Sequence, residues 1–279
     1  MSLPEQAECF ARRPFAAFSL LKPDASGFRP FDPVLRTPTV AGMVRHAVAR
    51  AASRAGWEPA RIATYVHGHT PDGSAPARGA PDLPRFSYLP LPSIEYRDGG
   101  NRVTAIRRVL VSAPPGEEAA VAWLRRALSG QELVALGSAD PVAVLSLLPQ
   151  TERALKSYVE PSAVWSTVTP MVMTGHDDNN QAKAEGLVRR ALTQAGVPDE
   201  LARCAGLEWR RVGFRAGVEL STRYVVPECF DRRARYHVQI RWLGVRGGPV
   251  AVQGPLAIGA GRYGGLGLLA AHRREGTDG

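Results

Sequence analysis

Apolar residues occupy nearly every position of Pro14-Phe-Ala-Ala-Phe-Ser-Leu-Leu21, the pattern of a strand covered on both faces. A turn-rich stretch follows from Lys22 to Pro33, and the period then changes. From Thr37-Pro-Thr-Val onward, Val40, Met43, Val44, Ala47, Val48 and Ala51 recur at helical spacing, with Gly56 as the expected stop. Arg45, His46, Arg50 and Arg54 fall largely off that stripe and predict a solvated face, with His46 at the stripe's edge. Ile62-Ala-Thr-Tyr-Val66 has the composition of a short strand and runs into His67-Gly-His-Thr-Pro-Asp-Gly73. Residues 74–84, rich in Pro, Gly and Ala, read as loop. Arg85 to Pro92 reads as a strand whose prolines place it at a sheet edge, and Val103 to Ser112 as a stronger one. Pro114-Pro-Gly-Glu-Glu opens a helix, its acids complementing the dipole, that continues from Ala119 to Leu128. Two short strands are expected around Leu133–Leu136 and Val142–Leu148.

The second half repeats the order. Ala163 to Met173 reads as a strand, and Asn180 to Ala195 as an amphipathic helix with Leu187, Val188, Ala191 and Leu192 inward. Leu207–Phe214 and Tyr236–Trp242 alternate as half-buried antiparallel strands do, and Val250–Ile258 reads as the last strand. Strand–helix–strand–strand thus occurs twice, which predicts an α+β chain of two ferredoxin-like (RRM-like) domains in tandem. The expected division is a tail over 1–13, a first domain over 14–155, a second over 156–270 carrying a glycine-rich loop, and a polar tail over 271–279.

That loop is the densest motif. Five glycines, Gly259, Gly261, Gly264, Gly265 and Gly267, surround Arg262 and Tyr263. Without Cβ atoms such a segment lets backbone N–H groups approach an anion; Arg262 adds a phosphate-matching cation and Tyr263 a face for a base. Gly259, Gly261 and Gly264 also spell the dinucleotide fingerprint, but the chain after them has no room for the helix and acidic residue that fingerprint requires. No nucleotide cofactor is expected.

Charge sharpens the choice of anion. The 279 residues carry 35 Lys and Arg against 26 Asp and Glu, a net charge of +9, which points to a polyanionic partner. No apolar run is long enough to span a membrane, and Cys9, Cys204 and Cys229 form no paired framework, so a reducing cytoplasmic setting is expected.

His67 and His69, at the end of a predicted strand, are candidates for general acid/base chemistry on a hydroxyl nucleophile, with His46 as a third. Two other readings stay open: turn-forming histidines, and a metal site with Asp72 as a further ligand. His237 reads as a packed or surface residue and His272 as inert in the tail.

Thr39-Val-Ala-Gly-Met-Val-Arg-His-Ala-Val48, His67-Gly-His-Thr-Pro-Asp-Gly73, Tyr88-Leu-Pro-Leu-Pro92, Trp165-Ser-Thr-Val-Thr-Pro170 and Gly254 to Leu268 resemble, in order, blocks of one family. The family is the CRISPR-associated RAMP proteins of type I-G (earlier I-U) systems, in which a backbone subunit is fused to the precursor crRNA endoribonuclease. The resemblance implies paired ferredoxin-like folds and metal-independent cleavage of CRISPR repeat RNA by 2′-OH attack, leaving a 2′,3′-cyclic phosphate. It implies partnership with other subunits of a type I interference complex. His69 matches the family's Gly-His position; Arg45, Arg262, Tyr263 and the five glycines match positions expected on RNA. The chain departs from the family in two respects. Only about a dozen residues precede the first block, as expected of the nuclease half alone, and Ile94-Glu-Tyr-Arg-Asp-Gly99 stands where the family has a histidine-bearing segment. A non-catalytic crRNA-binding subunit is the alternative function, and a metal-dependent hydrolase the third.

Overall fold

A computed structural model of the chain describes residues 13–77, 83–97, 100–135, 137–178 and 180–272. Cys9, Leu136 and the polar tail expected beyond His272 lie outside them.

The first long helix, α1 (Pro33–Arg54), begins four residues before the expected Thr37. Its start signal is Asp32-Pro33: the Asp32 carboxylate accepts from the N–H groups of Val34 (2.7 Å) and Leu35 (3.2 Å), and Pro33 takes the position where a missing N–H costs nothing. Pro38 lies inside the helix and cannot donate to the Val34 carbonyl. That carbonyl accepts instead from the Val225 N–H at 2.9 Å, a bond from the second half of the chain.

β1 (Phe15–Leu21), β2 (Ser87–Arg97), β3 (Gly100–Ser112), β4 (Glu132–Val134) and β5 (Pro141–Leu147) form an antiparallel sheet in the order β2-β3-β1-β5-β4. With β4 as an added edge, α1 and α2 (Glu118–Leu128) complete the ferredoxin-like arrangement, fourth strand beside first, first beside third, third beside second. β2 lies at the edge that Pro90 and Pro92 require.

The second sheet repeats this order. β6 (Val164–Thr167) lies between β9 (Arg235–Arg241) and β10 (Leu269–Ala271), and β8 (Gly206–Arg210) pairs the far side of β9. α3 (Gln181–Gln194), capped by the Asn180 side chain, covers it. Two expectations are corrected. The single strand expected over 163–173 breaks at Pro170, which has no N–H for the ladder, and β7 (Met171–Val172) pairs β9 separately. Val250–Ile258 is not the final strand; it makes isolated bridges, Ser162 with Val252 and Ala257 with Leu268, and β10 beyond the glycines closes the sheet. The second helix of this unit is replaced by the irregular segment 242–268.

Alternation along β1 and β10 sets the layering. Ala16, Phe18 and Leu20 face a core with α1 and α2, while Phe15 and Ala17 face the second half. Leu269 and Ala271 face α3, while Leu268 and Ala270 meet Phe15, Leu89, Leu91, Leu110 and Tyr158 in a core between the sheets. Each large apolar side chain buried there is worth about 1.5–3 kcal/mol, so the two sheets hold one another. α1 and α2 lie outside the first sheet and α3 outside the second, while the short helix Lys156–Val159 contributes Tyr158 and Val159 to the core between them.

The stretch read as a strand at Ile62–Val66 is helical. Pro59 starts a short helix, Pro59–Arg61, that widens into a π-helical turn over Ile62–His67. β-branched composition favoured a strand, but the Tyr65 carbonyl accepts from Phe86 (2.9 Å), and Val66, Ile62 and Tyr65 pack on the first core from this turn. Tertiary contacts override propensity here.

Candidate functional site

The π-helical turn positions the histidines. It ends at Gly68 in the left-handed region (φ 71°), whose N–H donates to Thr64 O at 3.0 Å; the His69 N–H reaches back to Ala63 O at 2.9 Å. This is a widened version of the glycine closure that ends many helices, and single π turns recur at functional sites. It places the His67 and His69 rings 5.9 Å apart between centroids. His67 is half-buried; His69 is exposed on the rim, and His46 is exposed on α1 beside Arg45. Burial, then the positive charges of Arg45, His69 and His46, hold the His67 imidazole below its ordinary value, which favours its neutral, proton-accepting form.

Asp72 is engaged in its own turn. It accepts from the Thr70 hydroxyl and from the Ser74 N–H at 3.0 Å, and these bonds, the hydroxyl first, lower its carboxyl. Among the described residues no cluster of three or more His, Cys, Asp or Glu side chains is placed to hold a metal ion.

His67 opens onto a cleft of about 340 Å³ between the two halves of the chain. Arg45 and Gly42 of α1, Arg85, Tyr88, Tyr263 and Gly264 line it. The Tyr88 hydroxyl donates to Val66 O at 3.1 Å and so ties β2 to the turn that carries His67. Among the described residues that line the cleft there are two arginines and no carboxylate.

The glycine segment builds the other wall, and its geometry differs from an open cradle. The Thr169 hydroxyl donates to Gly265 O (2.7 Å) and accepts from Leu268 N (3.0 Å); Gly267 N–H donates to Pro170 O at 2.8 Å. Two sequence blocks far apart in the chain are therefore one structure, the Thr-Pro turn serving as anchor for the glycines. A Cβ on Gly267 would lie 1.9 Å from Ile258 O, on Gly259 2.5 Å from Val172 O, on Gly265 2.5 Å from Pro90, and on Gly261 2.8 Å from Leu266. These glycines serve the protein's own close packing. Gly264 alone of the five meets nothing. Arg262 is buried, its guanidinium donating to Gly259 O at 3.1 Å and lying 4.6 Å from the Tyr263 ring. Tyr263 is the side chain that emerges toward the cleft.

Two further residues enter the site that sequence reasoning passed over, Tyr88 and Arg85. Arg85 stacks 3.5 Å from the Tyr263 ring centroid and lies against Gly68, where a Cβ would meet its Nη1 at 2.0 Å. Nothing in the sequence pairs these positions; only the approach of the two halves does.

His237 and His272 are structural. His237 is fully buried, its ring nitrogens meeting the Thr167 hydroxyl (3.2 Å) and Glu219 O (2.9 Å), and burial lowers it to about 4. His272, expected to be inert in a polar tail, closes the second sheet: its Nε2 lies 2.8 Å from the Ser166 hydroxyl, to which Arg215 also donates at 3.0 Å. Burial, then Arg215, lowers it to about 4.

The family model described as CRISPR-associated protein, GSU0054 family, matches residues 6–271. No curated protein sequence matches significantly. Similar solved structures include one described as a CRISPR-associated protein Cas6 (13% identity, 94% of this chain and 100% of that one, TM-score 0.42). A Cas6b crystal structure (12%, 92% and 98%, TM-score 0.40) and a RAMP protein binding different RNA substrates (12%, 94% and 99%, TM-score 0.43) are others.

Proposed function

The chain belongs to the CRISPR-associated GSU0054 family, and from that membership and the cleft we propose that it is a precursor-crRNA endoribonuclease of a type I-G system. The observation that carries this reading is a cleft between two ferredoxin-like units, with no carboxylate among its described lining residues, in which a histidine with a lowered pKa stands beside arginine and an emergent tyrosine. A polyanion is attracted to such a cleft, and a neutral imidazole in it can accept a proton.

In the reaction, His67 takes the proton of a ribose 2′-OH. The freed oxygen attacks the adjacent phosphorus, the P–O5′ bond breaks, and the 5′ oxygen leaves with a proton. The products are a 2′,3′-cyclic phosphate and a 5′-hydroxyl. His69, across the turn, donates that proton; a spacing of 5.9 Å lets two imidazoles flank one phosphodiester. His46 and Arg45 lie along the approach on α1. Tyr263 offers a base its face, Arg262 holds the segment that presents it, and Gly264 lets the backbone of a strand come close. No metal takes part. The product is retained, and the chain carries it in the cytoplasm as a subunit of a type I interference complex.

Cleavage of the cognate repeat RNA by His67→Ala and His69→Ala variants, read beside their affinity for the same RNA, tests the assignment. Each variant is expected to lose 10²–10⁴-fold in rate with affinity within a few-fold of wild type. Full activity in both removes the histidines from the chemistry and favours the non-catalytic crRNA-binding reading for this corner.

A further inference from the structure

We infer that Arg85 holds the reacting phosphate in the cleft, a role that rests on the ribonuclease reading above. Its guanidinium makes no hydrogen bond or ion pair with another described residue, and its Nε is buried without a partner. A guanidinium carries N–H donors in a planar fork that matches two phosphate oxygens, and a buried donor without a partner calls for an acceptor. Tyr263 and the Gly68 backbone already fix the side chain, so little conformational freedom remains to be lost on binding.

Position decides which phosphate. Arg85 packs on Gly68, the residue joining His67 to His69, and it lines the same cleft as His67, so a phosphate in that cleft beside His67 meets the guanidinium. Arg85 and Tyr263 also form the shared wall between the His67 cleft and a neighbouring cavity of about 570 Å³ beside Arg13 and Gly196. Among the described residues that line the two cavities there is no carboxylate to compete with phosphate for the cation. Arg45, exposed on α1, suits a flanking phosphate better than the central one. As the 2′ oxygen adds to phosphorus, negative charge grows on the two non-bridging oxygens, and a fork fixed beforehand stabilises that charge more than it does the ground state.

The test uses the full chain, its repeat RNA and excess EDTA, measuring single-turnover cleavage with protein in excess beside affinity and the urea midpoint. Arg85→Gln is expected to cut at least 10²-fold more slowly at saturating protein while binding within 10-fold of wild type. Arg85→Lys should recover affinity but less than a tenth of the rate, since it restores charge without the fork. If Arg85→Gln lowers the urea midpoint, Arg85→Lys carries the comparison. Wild-type cleavage by Arg85→Gln overturns the inference and leaves the ribonuclease reading intact. A defect that saturating protein abolishes also overturns it, because Arg85 is then a general backbone contact. A wild-type chain that binds repeat RNA but cuts none removes both.

Discussion

Substituting alanine at two glycines of one motif separates folding from RNA contact. Gly267 has φ 69°, and a Cβ there would lie 1.9 Å from Ile258 O, a backbone atom that no rotamer change can move. The left-handed conformation alone costs a residue with a Cβ about 1–2 kcal/mol. Relieving the overlap must stretch the Ile258 N–H bond to Gly267 O (3.0 Å) or the Gly267 N–H bond to Pro170 O (2.8 Å). Each such bond contributes about 1 kcal/mol net, so Gly267→Ala should cost about 2–3 kcal/mol in total. At roughly 2–4 °C per kcal/mol for a chain of this size, that is a fall in Tm on the order of 10 °C. Gly264→Ala should stay within about 0.5 kcal/mol, because a Cβ there meets nothing and φ is not positive. Urea and thermal unfolding of both variants, alongside repeat-RNA binding, provide the comparison. A Gly267→Ala protein as stable as wild type that has lost RNA binding would refute the reasoning, since the glycine would then answer to an external ligand.

Further expectations follow from the histidines and from Gly68. Burial keeps His237 near 4 in the folded chain against about 6.5 unfolded, so its contribution is complete above pH 6.5 and is lost as pH falls from there toward 4. The shift corresponds to roughly 3 kcal/mol, and urea midpoints across that window should fall more steeply for wild type than for His237→Gln. Because His67 is lowered as well, the acid limb of the cleavage profile should have its midpoint below pH 6.5; a midpoint above it contradicts His67 as the base. Gly68→Ala should destabilise wild type by about 1 kcal/mol more than it destabilises Arg85→Ala, a coupling that unfolding of the four proteins in the cycle measures. Additive costs would mean that Arg85 does not rest on Gly68.

Much of this architecture is written in local patterns. The continuous apolar run of β1, the alternation in β9 and the stripe in α1 each follow from which faces are buried, and the repeated strand–helix–strand–strand order leads to two ferredoxin-like sheets. Errors arose where a local signal competed with a distant one. Asp32-Pro33 is a good helix start hidden in a turn-rich stretch, and the Val34 carbonyl exposed by Pro38 is answered only by Val225 from the other half. Ile62–Val66 has strand composition, yet packing and Pro59 make it a π-helical turn. The site divides in the same way. His67 and the glycine block could be singled out by composition and spacing, but the need for those glycines comes from contacts with Met171, Val172, Pro90 and Ile258 that no spacing encodes. The pairing of Arg85 with Tyr263 exists only once the sheets meet.

The most direct test of the central claim is to incubate the purified chain with its own repeat RNA in excess EDTA and determine the size and 3′ end of the products. The account predicts a single cut within the repeat, undiminished by chelation, with a 2′,3′-cyclic phosphate on the upstream fragment and a 5′-hydroxyl on the downstream one. Intact RNA bound tightly under every condition, or cleavage that requires a divalent ion and leaves a 3′-hydroxyl, would contradict it.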